Sequence, residues 1–453
     1  MNFKSKIMKM NKREFLRGAG ALSVLTLLPG CTWDGLGGKR LRTAHIGVGS
    51  MGGEDLNAIS SHQMVDVVAL CDVDANNLAA ALKLHPNAKT FIDYRDLFKE
   101  MKDQIDAVIV STPDHTHAPA SMMAMSHDKP VYCQKPLTHH VSEARAMRTM
   151  ATEKNLVTQM GIQVHSFYDY KLATLLIQSG IIGKVSTVRA WCPKNWGYDG
   201  VAPEGSDPVP AHLDWNLWLG TSKEREFKEN VYHPANWRKL MDYGCGTLGD
   251  MGVHIFDTPY NALKLDVPKT ITTSCRQPTG FGYPENNVVT YEFPATEYTA
   301  ETLKWVWYDG PGAPEMHSDL ELPNGDPLPD QGAMFIGEKG NLLLPHFMEL
   351  PRHIVDGVYQ ELDTDLINSF ELGTPIRNYE AEGKMHYHQF VDACLGKTTT
   401  SAPFSYSAKL TETILLGVIA GRFPNETLHW DTAQAKFSEE KANEFLKGDY
   451  RTF

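Results

Sequence analysis

The stretch 43–72 constrains the fold more than any other part of the sequence. A short run that ends in apolar residues, 43–48, leads into the hexapeptide Gly-Val-Gly-Ser-Met-Gly at 47–52. A helical pattern follows, and a second apolar run over 65–70 ends beside Asp72. This order of strand, glycine loop, helix, strand and acid is typical of a dinucleotide-binding βαβ unit.

Each glycine of the loop has a separate physical task. Gly47 permits the tight turn, Gly49 lets a pyrophosphate approach the backbone, and Gly52 lets the helix pack closely on the strand. The backbone N–H groups at the start of the helix, where Ser50 and Met51 lie, would hold phosphate oxygens. An isolated glycine loop could be an ordinary turn, but the flanking elements favour the dinucleotide.

Asp72 discriminates between two dinucleotides. It follows the loop at about the spacing at which an acid accepts hydrogen bonds from the adenosine ribose hydroxyls. The same carboxylate would repel a 2′-phosphate, so the sequence predicts NAD as the cofactor.

Residues 1–30 have the composition of an export signal. They carry six basic residues and one acid, and their apolar run at 19–28 is too short to cross a bilayer. Leu28-Pro29-Gly30-Cys31 is similar to a lipoprotein box with Cys31 as the lipidation site, and Lys12-Arg13 is similar to a twin-arginine export motif. We expect a signal peptide over 1–30, a linker over 31–41, and a periplasmic or cell-envelope lipoprotein. A basic extension of a cytoplasmic protein is the alternative.

The charge of the chain excludes some partners. The whole sequence has a net charge of −12, and the part after residue 30 is more acidic still because the first segment is basic. An acidic surface is unsuited to nucleic acid or to anionic membrane. We therefore expect membrane contact only through a lipid anchor. The six cysteines after Cys31 form no CxxC pair and are predicted to be mostly buried free thiols.

The pattern of predicted elements divides the chain near residue 160. Strand and helix signals alternate over 42–160, which predicts a doubly wound parallel Rossmann sheet that binds NAD. Alternating apolar and polar runs, such as 185–191 and 288–293, follow in the region 161–453. They predict a C-terminal α+β domain with a large, mostly antiparallel sheet that binds substrate and supports oligomerisation.

Four motifs in the predicted order resemble those of the Gfo/Idh/MocA oxidoreductase family. They are Ser111-Thr112-Pro113-Asp114-His115-Thr116-His117 after one strand, Gln134-Lys135-Pro136-Leu137 after the next, the segment 244–254, and the segment 332–340. The resemblance covers the chain from about residue 42 to its end. It implies hydride transfer between NAD and a secondary alcohol, and often a dimer or tetramer formed through the second sheet.

The resemblance assigns the catalytic lysine to Lys135. An ammonium group there would stabilise the alkoxide that develops as hydride leaves, and a cis bond to Pro136 would aim it. The chain departs from the family at Gln134, where glutamate is usual. Its amide can still contact a ribose hydroxyl, so we expect altered tuning of Lys135 and retained activity.

Asp250 and His254 match the family's Asp-x-x-x-His pair on one helix face. The resemblance makes His254 the general base, because an unperturbed pKa near 6.5 suits proton transfer near neutrality. Asp250 would bind a sugar hydroxyl or orient His254.

The resemblance implies that the loop after the third predicted strand contacts the nicotinamide through Thr112, Pro113, His115 and His117. The two histidines form an H-x-H pair, but the sequence places no third ligand near them, so no metal site is predicted.

Aromatic residues are dense after residue 190 and suit the C–H faces of sugars. Their motif setting favours Trp196, Tyr198 and Trp237 as substrate contacts, with Arg238 as a hydroxyl or carboxylate donor and His165 as a weaker candidate. Core packing is the alternative for each aromatic ring.

These observations predict an exported NAD-dependent oxidoreductase that acts on a carbohydrate CH–OH group and keeps its cofactor bound. Two alternatives remain. One is a glycoside hydrolase that works through transient oxidation and elimination, and the other is a non-catalytic sugar-binding lipoprotein.

Overall fold

The computed structural model describes residues 40–453. The predicted signal peptide over 1–30, the predicted lipidation site Cys31 and most of the predicted linker lie outside these residues.

The first sheet is parallel and has six strands. They are β1 Leu41–Ile46, β2 Val65–Cys71, β3 Lys89–Phe91, β4 Ala107–Val110, β5 Val131–Cys133 and β6 Thr158–Met160. Their order is β3-β2-β1-β4-β5-β6, and every neighbouring pair is parallel. The connecting helices are α1 Met51–Ser60, α2 Ala75–Leu84, α3 Tyr94–Met101, α4 Asp114–Ser126 and α5 Val141–Glu153.

The sequence of these strands explains their position. All four residues of β4 are buried, as are all three of β5, because helices cover both faces of a parallel sheet. The order reverses between β1 and β4, and ligands bind at the carboxyl ends of the strands on either side of such a switch point.

The second sheet has ten strands and is mixed. They are β7 Val185–Cys192, β8 Thr270–Ser274, β9 Asn287–Pro294, β10 Thr299–Asp309, β11 Gly332–Gly337, β12 Gly340–Pro345, β13 Arg352–Val355, β14 Val358–Gln360, β15 Thr427–Asp431 and β16 Lys436–Phe437. Their order is β14-β13-β12-β11-β7-β10-β9-β8-β15-β16. Strands β7 and β10 pair in parallel, and the other neighbours pair antiparallel. The predicted fold class is confirmed.

Six helices accompany this second part of the chain. They are α6 Tyr168–Gln178, α7 Trp215–Leu219, α8 Val253–Ala262, α9 Thr364–Ser369, α10 Tyr379–Cys394 and α11 Phe404–Ala420. Helix α10 returns to the first sheet, since its Tyr387 and Phe390 share an apolar core with Leu41, Ile59 and Tyr132. The chain after residue 160 therefore helps to cover the parallel sheet.

The six cysteines in the described part of the chain are free thiols, and four of them are buried. Within residues 40–453, no helix combines the length and apolar character that a membrane span requires. The same residues contain no group of three or more His, Cys, Asp or Glu side chains arranged to hold a metal ion.

Candidate active site

The glycine loop joins β1 to α1 and makes contacts that a side chain would prevent. Gly47 has φ +82°, and a Cβ there would lie 2.7 Å from the carbonyl oxygen that follows β4. A Cβ on Gly52 would lie 2.2 Å from the Gly47 carbonyl oxygen, so α1 packs directly on the turn. A cavity of about 980 Å³ lies against the loop and is bordered by Gly49, Ser50 and Met51. Gly52 does not line the cavity; it lets α1 pack against the turn that carries the loop.

Asp72, at the end of β2, borders the same cavity. One carboxylate oxygen accepts from the Val48 backbone N–H at 2.9 Å, and the other accepts from the Asp74 N–H at 2.9 Å. Burial raises the pKa of Asp72, although these two hydrogen bonds oppose the shift. Because each carboxylate oxygen can accept more than one hydrogen bond, Asp72 retains capacity for a ribose hydroxyl.

Thr112 and Pro113 border the cavity beyond β4. The Oγ1 atom of Thr112 is buried and has no hydrogen-bond partner among residues 40–453. A buried hydroxyl without a partner is unfavourable, so a bound polar ligand would satisfy it. The glycine loop, the Asp72 carboxylate and this hydroxyl together fit a dinucleotide.

Gln134 borders the cavity, but its amide nitrogen is directed at Asp55. Nε2 lies 2.9 Å from both carboxylate oxygens of Asp55, and Oε1 accepts from the Lys135 N–H at 3.1 Å. The amide nitrogen is therefore committed to an internal hydrogen bond, and the amide oxygen alone keeps acceptor capacity for a ribose hydroxyl. The Lys135–Pro136 bond that follows is cis, as the resemblance implied.

The two histidines of the H-x-H pair differ from the prediction. His115 is buried outside the cavity lining, with its ring nitrogens 2.9 Å from the Trp218 carbonyl oxygen and 3.4 Å from that of Tyr243. His117 borders the cavity, but its ring nitrogens lie 2.8 Å from the carbonyl oxygens of Thr112 and Pro136. Burial lowers the pKa of each ring to about 4, so each is neutral and donates its one N–H to one of its two carbonyl neighbours. Both histidines therefore connect backbone segments, and only His117 also borders the cavity.

Asp250 lies at the centre of a cluster of cations. Its Oδ1 is 3.1 Å from Lys135 Nζ and 3.4 Å from Arg238 Nε, and its Oδ2 is 2.9 Å from Lys194 Nζ and 2.6 Å from Trp196 Nε1. Burial raises the pKa of Asp250, but the charges of Lys135, Lys194 and Arg238 outweigh burial and hold the pKa well below its usual range. Asp250 is therefore a permanent anion that positions cations.

This arrangement corrects the role expected of Asp250. Its carboxylate oxygens already accept hydrogen bonds from Lys135, Lys194 and Trp196 and form an ion pair with Arg238, so about one acceptor position remains for a sugar hydroxyl. It also does not orient His254, whose Nδ1 is buried without a hydrogen-bond partner within the described chain. The segment that carries both residues begins as a π-turn, Leu248–Gly252, and continues as α8.

His254 borders the cavity beside Lys135. Burial lowers the pKa of His254 well below 6.5, and the positive charge of Lys135 lowers it further. The pKa near neutrality that the sequence suggested therefore does not hold. The imidazole is neutral at physiological pH, and it can accept a proton but holds it weakly.

Three predicted substrate residues reach the cavity, namely Trp196, Trp237 and Arg238. The guanidinium of Arg238 lies over the Trp237 ring at 4.3 Å and over the Trp196 ring at 5.6 Å. These contacts fix the rings at the cavity wall, where their position suits stacking on a sugar.

Two predicted substrate residues do not reach the cavity. Tyr198 packs edge-on against Phe281, 5.9 Å between centroids, and is outside the lining. His165 lies in a separate cavity of about 200 Å³, where its Nδ1 is 2.9 Å from the carboxylate of Asp257. Tyr406 also donates to Asp257, at 2.8 Å, so His165 belongs to a different polar cluster.

Sequence reasoning missed several residues at the site. Among them, Lys194 contacts Asp250, and Asp114 borders the cavity at the start of α4. His346 is outside the cavity lining, but its ring lies 6.1 Å from that of His254. Burial raises the pKa of Asp114 to about 7, against the opposing charges of Arg238 and Lys135. Asp114 stands inside a motif that the sequence did reveal, whereas nothing in the sequence marks Lys194 or His346.

The fold and the cavity define a dinucleotide-binding protein with two sheets, whose ligand cavity lies at the switch point of the parallel sheet. The chain belongs to the Gfo/Idh/MocA family of NAD-binding oxidoreductases. The family's NAD-binding Rossmann fold matches residues 41–162, and its C-terminal alpha/beta domain matches residues 170–278.

Individual relatives are more distant. An inositol 2-dehydrogenase of Rubrobacter xylanophilus is 30% identical over 158 residues, 34% of this chain and 44% of that protein. A glycosyl hydrolase family 109 protein of Stenotrophomonas maltophilia is 34% identical over 135 residues, 28% of this chain and 29% of that protein. The chain thus matches less than half the length of either relative. A levoglucosan dehydrogenase structure with NADH and levoglucosan shares the fold, with a TM-score of 0.61, 15% identity, and coverage of 86% of this chain and 99% of that one.

Proposed function

We propose that this protein oxidises a secondary alcohol of a sugar or glycoside and transfers the hydride to NAD. The observation that carries the proposal is the position of Lys135. Its ammonium group borders the same cavity as the glycine loop and is held by Asp250. A charge fixed beside the cofactor cavity is suited to stabilising an alkoxide.

The reaction converts CH–OH to C=O, and bound NAD would accept the hydride from carbon. Lys135 donates two hydrogen bonds to Asp250, one to its backbone carbonyl oxygen at 2.9 Å and one to Oδ1 at 3.1 Å. Because an ammonium group has three protons, one remains for the substrate oxygen. That donation stabilises the negative charge that grows on oxygen as the C–H bond breaks.

His254 would take the hydroxyl proton. Its imidazole is neutral because burial and Lys135 lower its pKa, so an acceptor is present before the substrate arrives. The low pKa also makes the protonated form acidic. The proton is therefore released readily to solvent, or returned when the reaction runs backwards.

The substrate class follows from the cavity wall and from the relatives. The Trp196 and Trp237 rings border the cavity and suit the C–H face of a pyranose or a cyclitol. Proteins that act on inositol or levoglucosan are among the distant relatives, which supports a polyhydroxylated ring as substrate.

The cellular setting is a further part of the proposal. The basic and apolar segment over 1–30 and the lipoprotein-like box at Cys31 support export to the periplasm or cell envelope, with NAD carried in by the folded protein. A homo-oligomer formed through the second sheet would fit the family. Mass spectrometry of the native N-terminus tests export and lipidation, because an intact residue 1 without lipid would contradict both.

A second candidate is glycoside hydrolysis through transient oxidation. The glycosyl hydrolase family 109 relative favours it. Oxidation next to the C–H that is to be lost would make that C–H acidic, so the glycosidic bond could break by elimination of the aglycone. Water would then add to the resulting double bond, and the hydride held by the cofactor would return to the ketone, which gives net hydrolysis. Release of the chromophore from a chromogenic glycoside, without net reduction of the cofactor, would support this reaction.

The experiment uses the full purified protein loaded with NAD and a panel of glycosides. Reduction of the bound nicotinamide, followed by absorbance, with a keto-sugar product identified by mass spectrometry, would establish the oxidoreductase. Lys135→Met should abolish reduction of the nicotinamide while the cofactor stays bound. The control variant Lys223→Met, which changes a lysine on an exposed loop, should still reduce the nicotinamide. Sugar binding without any reduction would refute the proposal and favour a non-catalytic binding protein.

A further inference from the structure

The part of the cavity that holds the proposed reacting groups carries more positive than negative charge. Lys135, Lys194 and Arg238 border it, and they share the single carboxylate of Asp250. Asp114 also borders this region, but burial raises its pKa to about 7, so it supplies at most part of a second negative charge. The oxidised nicotinamide would add a further positive charge here.

Acids elsewhere along the cavity do not balance these cations. Asp74 is bonded to His212 at 2.9 Å and to His233 at 3.2 Å, and Asp93 is bonded to Arg95. The remaining acids of the lining are Glu54, in the first turn of α1, and Asp72, at the end of β2. The excess of positive charge is therefore local to Asp250.

Aromatic contacts hold the excess cations in place. Lys194 and Arg238 lie over the Trp196 ring at 5.2 and 5.6 Å, and the indole N–H of Trp196 donates to Asp250. Lys239 lies over the same ring at 5.9 Å. These contacts position the cations with part of their hydration replaced by the ring, which favours pairing with an incoming anion.

Two of the cations are accessible. The side chain of Lys194 is 44% exposed and that of Arg238 is 25% exposed, compared with 13% for Lys135. Arg238 reaches Asp250 through Nε, and Nη1 donates a long 3.4 Å hydrogen bond to the Ala235 carbonyl oxygen. Within residues 40–453, no acceptor bonds its Nη2 atom, so one edge of the guanidinium fork is open to a ligand.

We propose that the substrate is an acidic sugar whose carboxylate or sulfate group is bound by Lys194 and Arg238, while the reacting hydroxyl lies between Lys135 and His254. This inference rests on the proposed oxidoreductase function and narrows its substrate class. It involves binding alone, so the hydride and proton steps are unchanged.

The test uses the full protein with bound NAD and compares sugars that differ only in the group at C6, which is neutral in one member and anionic in the others. Glucose, glucuronate and glucose 6-sulfate form one set, and the corresponding galactose and mannose compounds form two more. Tryptophan fluorescence measures binding, and nicotinamide absorbance measures turnover. An acidic member should exceed its neutral partner about 100-fold in affinity or in kcat/KM, with KM rising as salt is added. The better acidic member identifies the group as carboxylate or sulfate.

Two variants locate the effect. Lys194→Met should lower affinity for the acidic sugar about tenfold or more, and by much more than it lowers affinity for the neutral sugar. Arg238→Lys should reduce the same acidic-to-neutral ratio because it removes the guanidinium fork. An unchanged ratio in both variants would overturn the assignment of the anion to these two residues. Lys223→Met controls for a general loss of positive charge.

The outcomes separate the two proposals. If neutral and acidic sugars bind and react equally, the acidic-substrate inference fails and the oxidoreductase function stands. If no sugar reduces the cofactor, the proposed function fails, and the fluorescence titration still decides whether the site prefers anions.

Discussion

The side-chain amide of Gln134 donates to the buried carboxylate of Asp55. This contact predicts how stability depends on pH when Gln134 is replaced by the glutamate that is usual in the family. Asp55 is fully buried and accepts from Gln134 Nε2 at 2.9 Å, from Ser111 Oγ at 2.5 Å and from Tyr387 Oη at 2.7 Å. Burial raises the pKa of Asp55 to about 6, although these donors oppose the shift. At slightly alkaline pH the amide N–H therefore faces an ionised carboxylate.

Gln134→Glu would place two carboxyl groups against each other, and the folded state would have to hold one proton between them. Because the unfolded state loses that proton and the folded state keeps it, the free energy of unfolding of the variant falls by ~3.4 kcal/mol between about pH 5.5 and about pH 8. In the wild type the raised pKa of Asp55 means that stability already falls as pH rises through 6, by ~0.8 kcal/mol over the same interval. The variant should thus be about 2.5 kcal/mol more destabilised at the higher pH than at the lower.

Urea unfolding at the two pH values, followed by tryptophan fluorescence, measures this difference. The double variant Asp55→Asn with Gln134→Glu is the matched control, because it rebuilds an amide-to-carboxylate hydrogen bond with the partners exchanged. It should recover most of the stability and most of the wild-type pH dependence. An equal loss of stability at both pH values in Gln134→Glu would refute the argument that an ionised Asp55 faces residue 134.

Other substitutions test other parts of the site. Asp250→Asn should lower the free energy of unfolding by about 3 kcal/mol near neutral pH, because three cations lose their shared anion. Since the pKa of Asp250 is depressed, its contribution to stability is complete above about pH 4 and is lost as the pH falls further. The free energies of unfolding of wild type and variant should therefore begin to converge only below about pH 4 in acid titrations. Thr112→Val removes a buried hydroxyl that has no partner among the described residues, so it should raise the stability of the protein without cofactor by about 1 kcal/mol and weaken NADH binding by about tenfold in fluorescence titrations. His254→Gln should lower the single-turnover rate of nicotinamide reduction by about 10²-fold or more while binding persists. The double variant His212→Ala with His233→Ala should speed cofactor release in displacement experiments.

The fold could be predicted because its signals are local. The strands of the parallel sheet are short apolar runs, and the glycine loop needs its glycines for contacts within the same βαβ unit. Strand β9 shows period-two alternation, which a single sequence reveals, whereas β10 ends in five consecutive buried residues. Strand β16 has two residues and gives no such signal.

The site could be predicted only where a motif carries it. Lys135, Asp250 and His254 stand in motifs and border one cavity, but their interactions depend on residues far away in the chain. The contact between Lys135 and Asp250 spans 115 positions, and that between Gln134 and Asp55 spans 79. Composition and periodicity contain no information about such contacts, so the permanent charge of Asp250 and the low pKa of His254 could not be anticipated.

The same limit applies to His115, His117 and His165, whose hydrogen-bond partners the sequence does not reveal. A histidine beside a motif attracts a functional interpretation, yet a ring nitrogen bonded to a backbone carbonyl serves packing equally well. His115 bonds to a carbonyl oxygen 103 positions away, and His165 faces a carboxylate 92 positions away. The residue type was informative, but the partner decided the role.

Contacts at the border of the cavity join distant segments of the chain beside the proposed NAD site, and they affect how fast NAD would dissociate. Asp74 follows Asp72 at the end of β2, and His212 and His233 reach it from the chain after residue 160. The last residue, Phe453, borders the cavity and contacts Arg95 through its ring and carbonyl oxygen. A dinucleotide lying along Asp72 would therefore be enclosed by contacts between segments distant in sequence. Contacts of this kind along the cofactor favour slow release, and this supports the proposal that an exported enzyme keeps its cofactor.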